Sequence, residues 1–136
     1  MLRFILGLVL VVGLWSAAPV AQAQNADIEA TISAQLEAFK VDDFDQAFTY
    51  ASPTIQGLFR TPENFGNMVR GGYPMVWRPS EVTYLELKET AGFLFQRVMI
   101  TDAEGAVHLL EYQMVQMDGT WKINGVRLLA NPPATA

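Results

Sequence analysis

Cysteine is absent from the 136-residue sequence, and histidine occurs only once, at position 108. Without cysteine there is no disulfide, thiol nucleophile, iron–sulfur cluster or cysteine-ligated zinc, so packing alone must stabilise the fold. His108 belongs to no HxH or HExxH pattern that would supply a second metal ligand nearby. We therefore expect no metal site and no cofactor.

Positive charge is also scarce, with nine Lys and Arg against 14 Asp and Glu and a formal net charge of -5. No two basic residues are adjacent. Nucleic acids and anionic membranes are bound by clustered Lys and Arg, so we expect neither as a partner. The sequence also lacks a Gly-x-Ser-x-Gly nucleophile motif and a glycine-rich phosphate loop, which gives no support for nucleophilic or nucleotide chemistry.

The one long apolar run stands at the start of the chain. It follows Arg3 and ends at Trp15, and Ala21-Gln22-Ala23 then has the small-x-small pattern that signal peptidase reads. The run is too short to span a bilayer and no stop-transfer pattern follows it. The order of these segments predicts a secretory signal peptide and a periplasmic or secreted protein, with no membrane span after cleavage.

The chain divides into three predicted segments. The signal peptide covers residues 1–23, one folded domain covers 24–130, and a disordered tail covers 131–136. A length of about 110 residues suits a single domain with one modest core, and the sequence contains no internal repeat.

Apolar residues in the first half recur at spacings of three and four, which predicts helices. The first helix is expected over Asp27–Lys40, and Asp42-Asp43 caps the second. Ser52-Pro53 and Thr61-Pro62 open two more, because proline suits the first helical position. Gly71-Gly72 ends the last of them.

After Pro79 the pattern changes to that of strands. Gly92, Gly105 and Asp118-Gly119 mark three turns, and Asn124-Gly125 predicts a bulge. The predicted strands are 81–88, 93–101, 106–117 and 120–129. Helices followed by a β-meander predict an α+β fold, in which the N-terminal helices pack on one face of a curved four-stranded antiparallel sheet.

The turns also fix a register, with Arg97 opposite Glu111 and Met114 opposite Ile123. The face expected to pack against the helices carries Leu94, Val98, Ile100, Leu110, Tyr112, Met114, Trp121 and Ile123. The other face carries Phe93, Phe95, Met99, Leu109 and Val115. This second face is unusually apolar for open solvent. Either the sheet curls over it or another subunit covers it, and we favour a homodimer through the sheet.

Several stretches resemble known families. Leu36-Glu37-Ala38-Phe39, the Asp43–Phe48 segment and the final hairpin Gly119–Val126 resemble the nuclear transport factor 2-like (cystatin-like) superfamily. More narrowly, three stretches resemble a bacterial family known as domain of unknown function 4864. They are Ala51–Gln56, Met68–Pro79 with its Tyr-Pro-Met-Val-Trp-Arg-Pro centre, and Gln96–Ile100.

The resemblance implies a half-open, cone-shaped pocket between the helices and a bent sheet, and we expect its walls to come mainly from the later half of the chain. The superfamily includes isomerases, dehydratases, polyketide cyclases and many domains without catalysis, so the fold does not choose an activity. The narrower family has no assigned activity, so the resemblance implies no catalytic residue.

Seven residues are candidates for lining a ligand pocket: Tyr73, Trp77, Arg78, Tyr84, Gln96, His108 and Tyr112. The first three lie between Gly72 and Pro79. They either rim the pocket or plug its open end, in which case Arg78 binds backbone carbonyls. The other aromatic and amide residues either line the cavity or are hydrogen-bonded polar groups of the core.

His108 is either a titratable pocket group or a half-exposed strand residue beside a turn. Glu111 lies on the opposite face of the same strand, so a carboxylate for His108 must come from elsewhere in the fold, for example from Glu86 or from a helix.

Two functions follow from these observations. The first is non-catalytic binding of a small apolar or amphipathic ligand, or of a protein partner, in the cell envelope. The alternative is a cofactor-free enzyme of the isomerase or dehydratase type. A carboxylate near His108 or Tyr112 inside a hollow cone would favour catalysis, whereas a cone filled by Phe, Met and Trp would favour the non-catalytic domain.

Overall fold

The computed structural model describes residue 13 and residues 20–130. Most of the predicted signal peptide and the whole of the predicted tail at 131–136 lie outside the described residues. Within the described part of the chain, no helix is both long enough and apolar enough to cross a membrane.

Five helices occupy the first half of the described chain: α1 Val20–Lys40, α2 Phe44–Thr49, α3 Pro53–Phe59, α4 Pro62–Gly72 and α5 Pro74–Trp77. The side chains of Asp43, Ser52 and Thr61 accept hydrogen bonds from backbone N–H groups in the first turns of α2, α3 and α4. These contacts satisfy groups that have no partner within the helix. The predicted helix starts at these three positions are confirmed.

Two helices differ from prediction. Helix α1 begins at Val20, seven residues before the expected Asp27, and so contains the predicted peptidase motif. Helix α5 occupies a segment that we expected to be a connection. Its Pro74 holds the first helical position, and Met75 and Val76 point into the core with 5% and 4% of their surface exposed, so burial rather than periodicity accounts for this single turn.

The second half forms an antiparallel meander of strands β1 Glu81–Thr90, β2 Phe93–Thr101, β3 Val107–Met117 and β4 Thr120–Leu129, in spatial order β1-β2-β3-β4. All three turns use residues with positive φ. Gly92, Gly105 and Gly119 have φ values of 82°, 86° and 78°, which glycine adopts without steric cost. The predicted turns are confirmed, as are the pairings of Arg97 with Glu111 and of Met114 with Ile123.

Two bulges interrupt the edge strands of this sheet. In β4 the pairing passes from Gly125 to Ile123 and leaves Asn124 as the extra residue, as the sequence predicts. In β1 the register shifts between Tyr84 and Leu87, which we did not expect. The side-chain amide of Gln96 donates to the carbonyl oxygen of Leu85, within this second bulge, at 3.0 Å.

The core lies between α1 and one face of the sheet. Ile28, Ile32 and Phe39 of α1 are fully buried, as are Val98 and Leu110 of the central strands. The face predicted to meet the helices is confirmed, because seven of its eight residues are buried and the eighth, Leu94, is half-buried against the same cluster.

A phenylalanine cluster joins α1 to the other helices. The ring of Phe65 in α4 lies 5.8 Å from Phe39, 5.4 Å from Phe48 and 5.8 Å from Phe59, centroid to centroid, in tilted arrangements. These distances fall in the range that aromatic pairs prefer. The cluster therefore holds α1, α2, α3 and α4 together.

The segment between α2 and α3 attaches the helices to the sheet. Backbone N–H groups connect Ser52 to Ile123 at 2.8 Å and Ile123 back to Tyr50 at 2.9 Å, so Ala51 forms a parallel bridge with β4. The Ser52 hydroxyl donates to Oδ1 of Asn124 at 2.7 Å. The bulge residue of β4 is thus bonded directly to the N-cap of α3.

We predict that Gly66→Ala destabilises the domain. A Cβ at position 66 would lie 2.6 Å from the ring of Phe44, and relieving such an overlap costs about 1–3 kcal/mol. Gly57→Ala is the matched control, because no heavy atom lies within 4 Å of its added Cβ, and alanine in a helix interior should stabilise by about 0.5–1 kcal/mol. Urea unfolding of both variants checks the pair, and equal effects would contradict the close approach of α4 to Phe44.

Candidate functional site

A partly open cavity of about 190 Å³ lies between helices α3 and α4 and strand β4. Helix α3 contributes Ile55, Leu58 and Phe59, and β4 contributes Ile123 and Val126. The remaining lining residues are Gln35, Phe39, Ala51, Phe65, Met68, Val69, Tyr73, Val76 and Gly125. The cavity is therefore half-open, as the resemblance implies. The expectation that its walls come mainly from the later half of the chain is wrong, because most lining residues precede residue 69.

The lining of this cavity carries no charged side chain among the residues described. Its polar side chains are Gln35 and Tyr73. Nε2 of Gln35 donates to the carbonyl oxygen of Ala47 at 3.2 Å. The Tyr73 hydroxyl donates to the carbonyl oxygen of Val126 at 3.1 Å. Because these donors are engaged by the backbone, the cavity presents an apolar surface to any occupant.

The mouth of the cavity is apolar as well. Leu58 lines it with 70% of its surface exposed, and Ile55, Phe59 and Met68 are half-buried around it. An apolar group that enters the cavity would cover Leu58, and each Å² of apolar surface removed from water contributes about 25 cal/mol of binding free energy.

Of the seven residues predicted to line a pocket, only Tyr73 lines this cavity. Trp77 and Arg78 lie instead at the corner between α1 and α2. Indole Nε1 of Trp77 and Nη2 of Arg78 donate to the same oxygen, Oδ1 of Asp42, at 2.8 and 3.0 Å. Arg78 Nη1 also donates to the carbonyl oxygen of Phe39 at 2.6 Å, so it binds backbone as the structural alternative predicts.

This corner is held by stacking and charge together. The guanidinium of Arg78 lies 3.9 Å from the centroid of Trp77, a favourable cation–π arrangement. The hydrogen bond from Trp77, followed by that from Arg78, holds the pKa of Asp42 below its ordinary value of 3.8. These residues connect α5 to the α1–α2 corner.

Tyr84 joins β1 to α1. Its hydroxyl donates to the carbonyl oxygen of Glu29 at 3.2 Å and is hydrogen-bonded to the Ser33 hydroxyl. Burial is the main reason that the pKa of Tyr84 is raised. Tyr84 thus connects the sheet to α1 through its hydroxyl, and it does not line the cavity beside α3.

Gln96 and Tyr112 are fully buried and face each other across β2 and β3. Gln96 holds the β1 bulge through its amide nitrogen. In the described part of the chain, Oε1 of Gln96 and the Tyr112 hydroxyl have no hydrogen-bond partner. Burial raises the pKa of Tyr112 far above its ordinary range, so its hydroxyl stays protonated. Neither residue lines the cavity.

His108 does have a carboxylate partner, but it is not the one we expected. Nε2 of His108 lies 2.8 Å from Oδ2 of Asp102, whereas Glu86 binds Arg97. Asp102 opens the β2–β3 turn, where its other oxygen accepts the N–H groups of Glu104 and Ala106 at 3.0 and 2.9 Å.

The β2–β3 hairpin reverses the chain, so Asp102 at the start of the turn lies beside His108 at the start of β3. We did not predict this contact, because the two residues are six positions apart and meet only once the hairpin has formed. The hydrogen bond from His108 is the largest cause of the lowered pKa of Asp102. Neither Asp102 nor His108 lines the cavity. The pair lies at the end of the sheet where β2 turns into β3, away from the cavity between α3, α4 and β4.

Sequence reasoning missed the cavity-forming roles of Ile55, Leu58, Phe59 and Val126. The spacing of the first three indicates an apolar face on the helix that Ser52-Pro53 opens, without saying what that face contacts. The available signal was the shortness of α3, since seven residues cannot bury three large side chains fully against one neighbour.

A family model described as "Domain of unknown function (DUF4864)" matches residues 21–136. The chain belongs to this family. Among curated proteins, no significant match to this DUF4864 domain was found.

Solved structures resemble the DUF4864 domain in fold. An NTF-2 like protein of unknown function from Shewanella oneidensis MR-1 superposes with a TM-score of 0.50 at 14% identity, over 77% of this chain and 98% of the other. Aln2 from a Streptomyces species also gives 0.50 at 14% identity, over 83% and 92%. A hexachlorocyclohexane dehydrochlorinase (LinA) type 2 gives 0.43 at 18% identity, over 85% and 97%.

The Shewanella structure shows that the fold is that of an NTF-2 like protein, which is the fold that the resemblance implies. The predicted DUF4864 family and α+β architecture are confirmed.

We predict that Asp42 stabilises the domain in a pH-dependent way. Because its folded pKa is lowered, its contribution is present above 3.8 and is lost as the pH falls below that value. The difference in free energy of unfolding between the wild type and Asp42→Asn should therefore be constant near neutrality and shrink in acid.

Trp77→Phe, which keeps an aromatic ring but removes the indole donor, should show a smaller difference of the same sign. Denaturant unfolding from pH 7 to pH 3 checks both variants. If the free energy of unfolding of both variants fell with acid in the same way as that of the wild type, the hydrogen bonds to Asp42 would be contradicted.

Proposed function

We propose that this DUF4864 domain binds a small apolar or amphipathic ligand in the cell envelope and catalyses no reaction. The observation that carries the proposal is the cavity between α3, α4 and β4, which is open, apolar at its mouth and free of charged lining residues among those described. Such a site recognises a ligand by shape and by exclusion of water rather than by ionic contacts.

The volume limits the ligand. Engineered apolar cavities of roughly 150 Å³ bind benzene, so a cavity of about 190 Å³ accepts a ring or a short branched or linear chain of similar bulk. A larger amphipathic molecule fits if only its apolar end enters and its polar end stays at the open side, beyond Leu58. An apolar side chain of an envelope protein is the competing occupant.

The separation of titratable groups from the cavity supports binding without catalysis. A general acid or base must lie within hydrogen-bond reach of the group it serves. His108 and Asp102 pair at the end of the sheet, and the charged partners Asp42 and Arg78 bind each other. Among the described lining residues, Tyr73 is the one with an ionisable side chain, and its hydroxyl is engaged in a hydrogen bond to the carbonyl oxygen of Val126.

The second candidate is a cofactor-free isomerase or dehydratase. It is favoured by one observation, the fully buried Tyr112 hydroxyl that has no partner in the described part of the chain. A protonated tyrosine in a dry site can donate a hydrogen bond to a developing oxyanion. This function requires the cavity to extend past Val126, the neighbour of Tyr112 across β3 and β4.

Export belongs to the same proposal. It is supported by the basic, apolar and small-residue segments before Gln24. Cleavage after Ala23 would remove the first four residues of α1 as it stands and would leave Asp27 in the new first turn, where a carboxylate is favourable.

We predict that the cavity binds benzene and that Val126→Phe abolishes this binding. The added ring would occupy the space beside β4, and we expect the dissociation constant to rise at least about tenfold. Val41→Phe is the matched control, since Val41 is 75% exposed and does not line the cavity. Chemical-shift titration of backbone amides with benzene measures both. Shifts absent from α3, α4 and β4 in the wild type would contradict the proposal.

We predict that the full chain, expressed in a bacterium with a periplasm, is recovered there without residues 1–23. Ala23→Gln should block processing, because a small residue is needed before the cleaved bond, whereas Gln22→Ala should not. Intact-mass measurement of the periplasmic and cytoplasmic fractions reads the outcome. Unprocessed wild-type protein confined to the cytoplasm would contradict export.

A further inference from the structure

A glutamine occupies a core position of α1 and lines the cavity. Gln35 lies three residues after Ile32 and four before Phe39, so it shares their inward face of the helix. Ile32 and Phe39 are fully buried, and only 3% of the surface of Gln35 is exposed. Burial of a polar side chain costs free energy unless its donors and acceptors find partners. Where each atom of this amide binds is therefore informative.

The amide nitrogen of Gln35 has a partner and the amide oxygen has none. Nε2 donates to the carbonyl oxygen of Ala47 at 3.2 Å. Because a carbonyl oxygen can only accept, this contact fixes the orientation of the amide and turns Oε1 away from Ala47. In the described part of the chain, Oε1 of Gln35 has no hydrogen-bond partner. An acceptor that can take two hydrogen bonds is left over.

This free oxygen is open to the cavity. Among the described side chains, the polar atoms that are sealed in the core without a partner are Oε1 of Gln96 and the Tyr112 hydroxyl. Oε1 of Gln35 is not sealed in this way. Since Gln35 is almost fully buried and the open space that it lines is the cavity, its free acceptor faces the space that a ligand would fill.

Support of the backbone does not by itself account for a glutamine at this position. The carbonyl oxygen of Ala47 already accepts the N–H of Tyr50 at 3.3 Å, so it has a partner without Gln35. Tyr73, which also lines the cavity, adds a second acceptor. Its hydroxyl hydrogen is donated to Val126, whereas its oxygen keeps lone pairs that can accept. The polar atoms that the lining leaves free are thus acceptors first.

We propose that Gln35 sets the chemical class of the ligand, and that the cavity prefers a small, neutral, apolar molecule with one hydroxyl or N–H group, such as a phenol. This preference rests on the proposed function, since it concerns the occupant of the same cavity. A hydroxyl that reaches Oε1 satisfies the acceptor. A hydrocarbon of the same size covers Oε1 and leaves it unpaired, which costs free energy.

A negatively charged polar group is disfavoured inside the same cavity. The described lining residues include no Lys or Arg, so a carboxylate would lose its hydration without gaining a cation. Oε1 of Gln35 would also place one acceptor against another. An amphipathic acid can therefore enter only by its apolar end, with the carboxylate outside the mouth beyond Leu58.

Ligands of similar size test this preference on the wild-type protein. Phenol carries a donor, toluene has a methyl group in its place, benzaldehyde carries only an acceptor, and benzoate carries a negative charge. An apolar cavity without an acceptor would favour toluene by about tenfold or more, because a hydroxyl leaves water at a cost. We expect phenol to bind at least as tightly as toluene, with benzaldehyde weaker than phenol and benzoate weakest. The side-chain amide resonances of Gln35 should shift with phenol and stay in place with toluene.

A variant locates the effect at the amide. Gln35→Met keeps the length of the side chain and removes the oxygen, so the dissociation constant of phenol should rise at least about tenfold relative to that of toluene. Gln56→Met is the matched control. Nε2 of Gln56 also donates to backbone carbonyl oxygens beside α2, those of Phe48 and Ala51, but Gln56 does not line the cavity. This control should leave the ratio of the two constants unchanged.

Chemical-shift titration at pH 7 measures every constant, and circular dichroism shows that each variant is folded. If Gln35→Met does not fold, the wild-type ligand series decides alone. Toluene preferred over phenol by tenfold, or a ratio that Gln35→Met leaves unchanged, would overturn the role of Gln35 while the cavity still binds. Benzaldehyde as tight as phenol would overturn the preference for a donor. Shifts absent from α3, α4 and β4 with all four ligands would overturn the proposed function as well.

Discussion

The attachment of the α2–α3 segment to the bulge of β4 is the contact on which the arrangement of helices and sheet depends. Ser52 both caps α3 and donates to Asn124, and the backbone of Tyr50 and Ser52 pairs with Ile123. Asn124, the extra residue in β4, accepts the hydrogen bond from Ser52 through its side-chain oxygen and donates through its amide to Oε1 of Gln113 in β3. Helix α3 is therefore fixed by its first turn, and its apolar side chains stand over β4 without filling the space beneath them. The cavity is a consequence of this geometry.

The polar residues of the domain are used mainly to join its parts. Asp42 and Arg78 hold the α1–α2 corner, Tyr84 binds β1 to α1, and Asp102 with His108 closes the β2–β3 turn. A side chain engaged in this way stabilises the fold and has little freedom to move a proton for a substrate. The apolar cavity and these bonded polar groups therefore occupy different places, and this separation is the physical basis for proposing binding rather than turnover.

Local patterns predicted the sheet well, because a turn such as Asp118-Gly119 fixes its own conformation and the register of both strands that it joins. The same holds for the bulge at Asn124 and for the caps at Ser52 and Thr61. The site was harder, because its members meet only through tertiary packing. The spacing of Ile55 and Leu58 shows an apolar helix face but does not say whether that face is covered. The β1 bulge was missed because its cause, the Gln96 amide, lies on another strand.

Both strands with a free edge, β1 and β4, carry a bulge, whereas the two central strands pair without interruption. An edge strand with a regular ladder of open N–H and C=O groups invites another chain to extend the sheet, which leads to fibrils. The displaced residues at Leu85/Glu86 and Asn124 break that ladder, and the bridge at Ala51 occupies part of the second edge. The domain is thereby protected from growth in the plane of its sheet, even though it has no disulfide to restrain an opened chain.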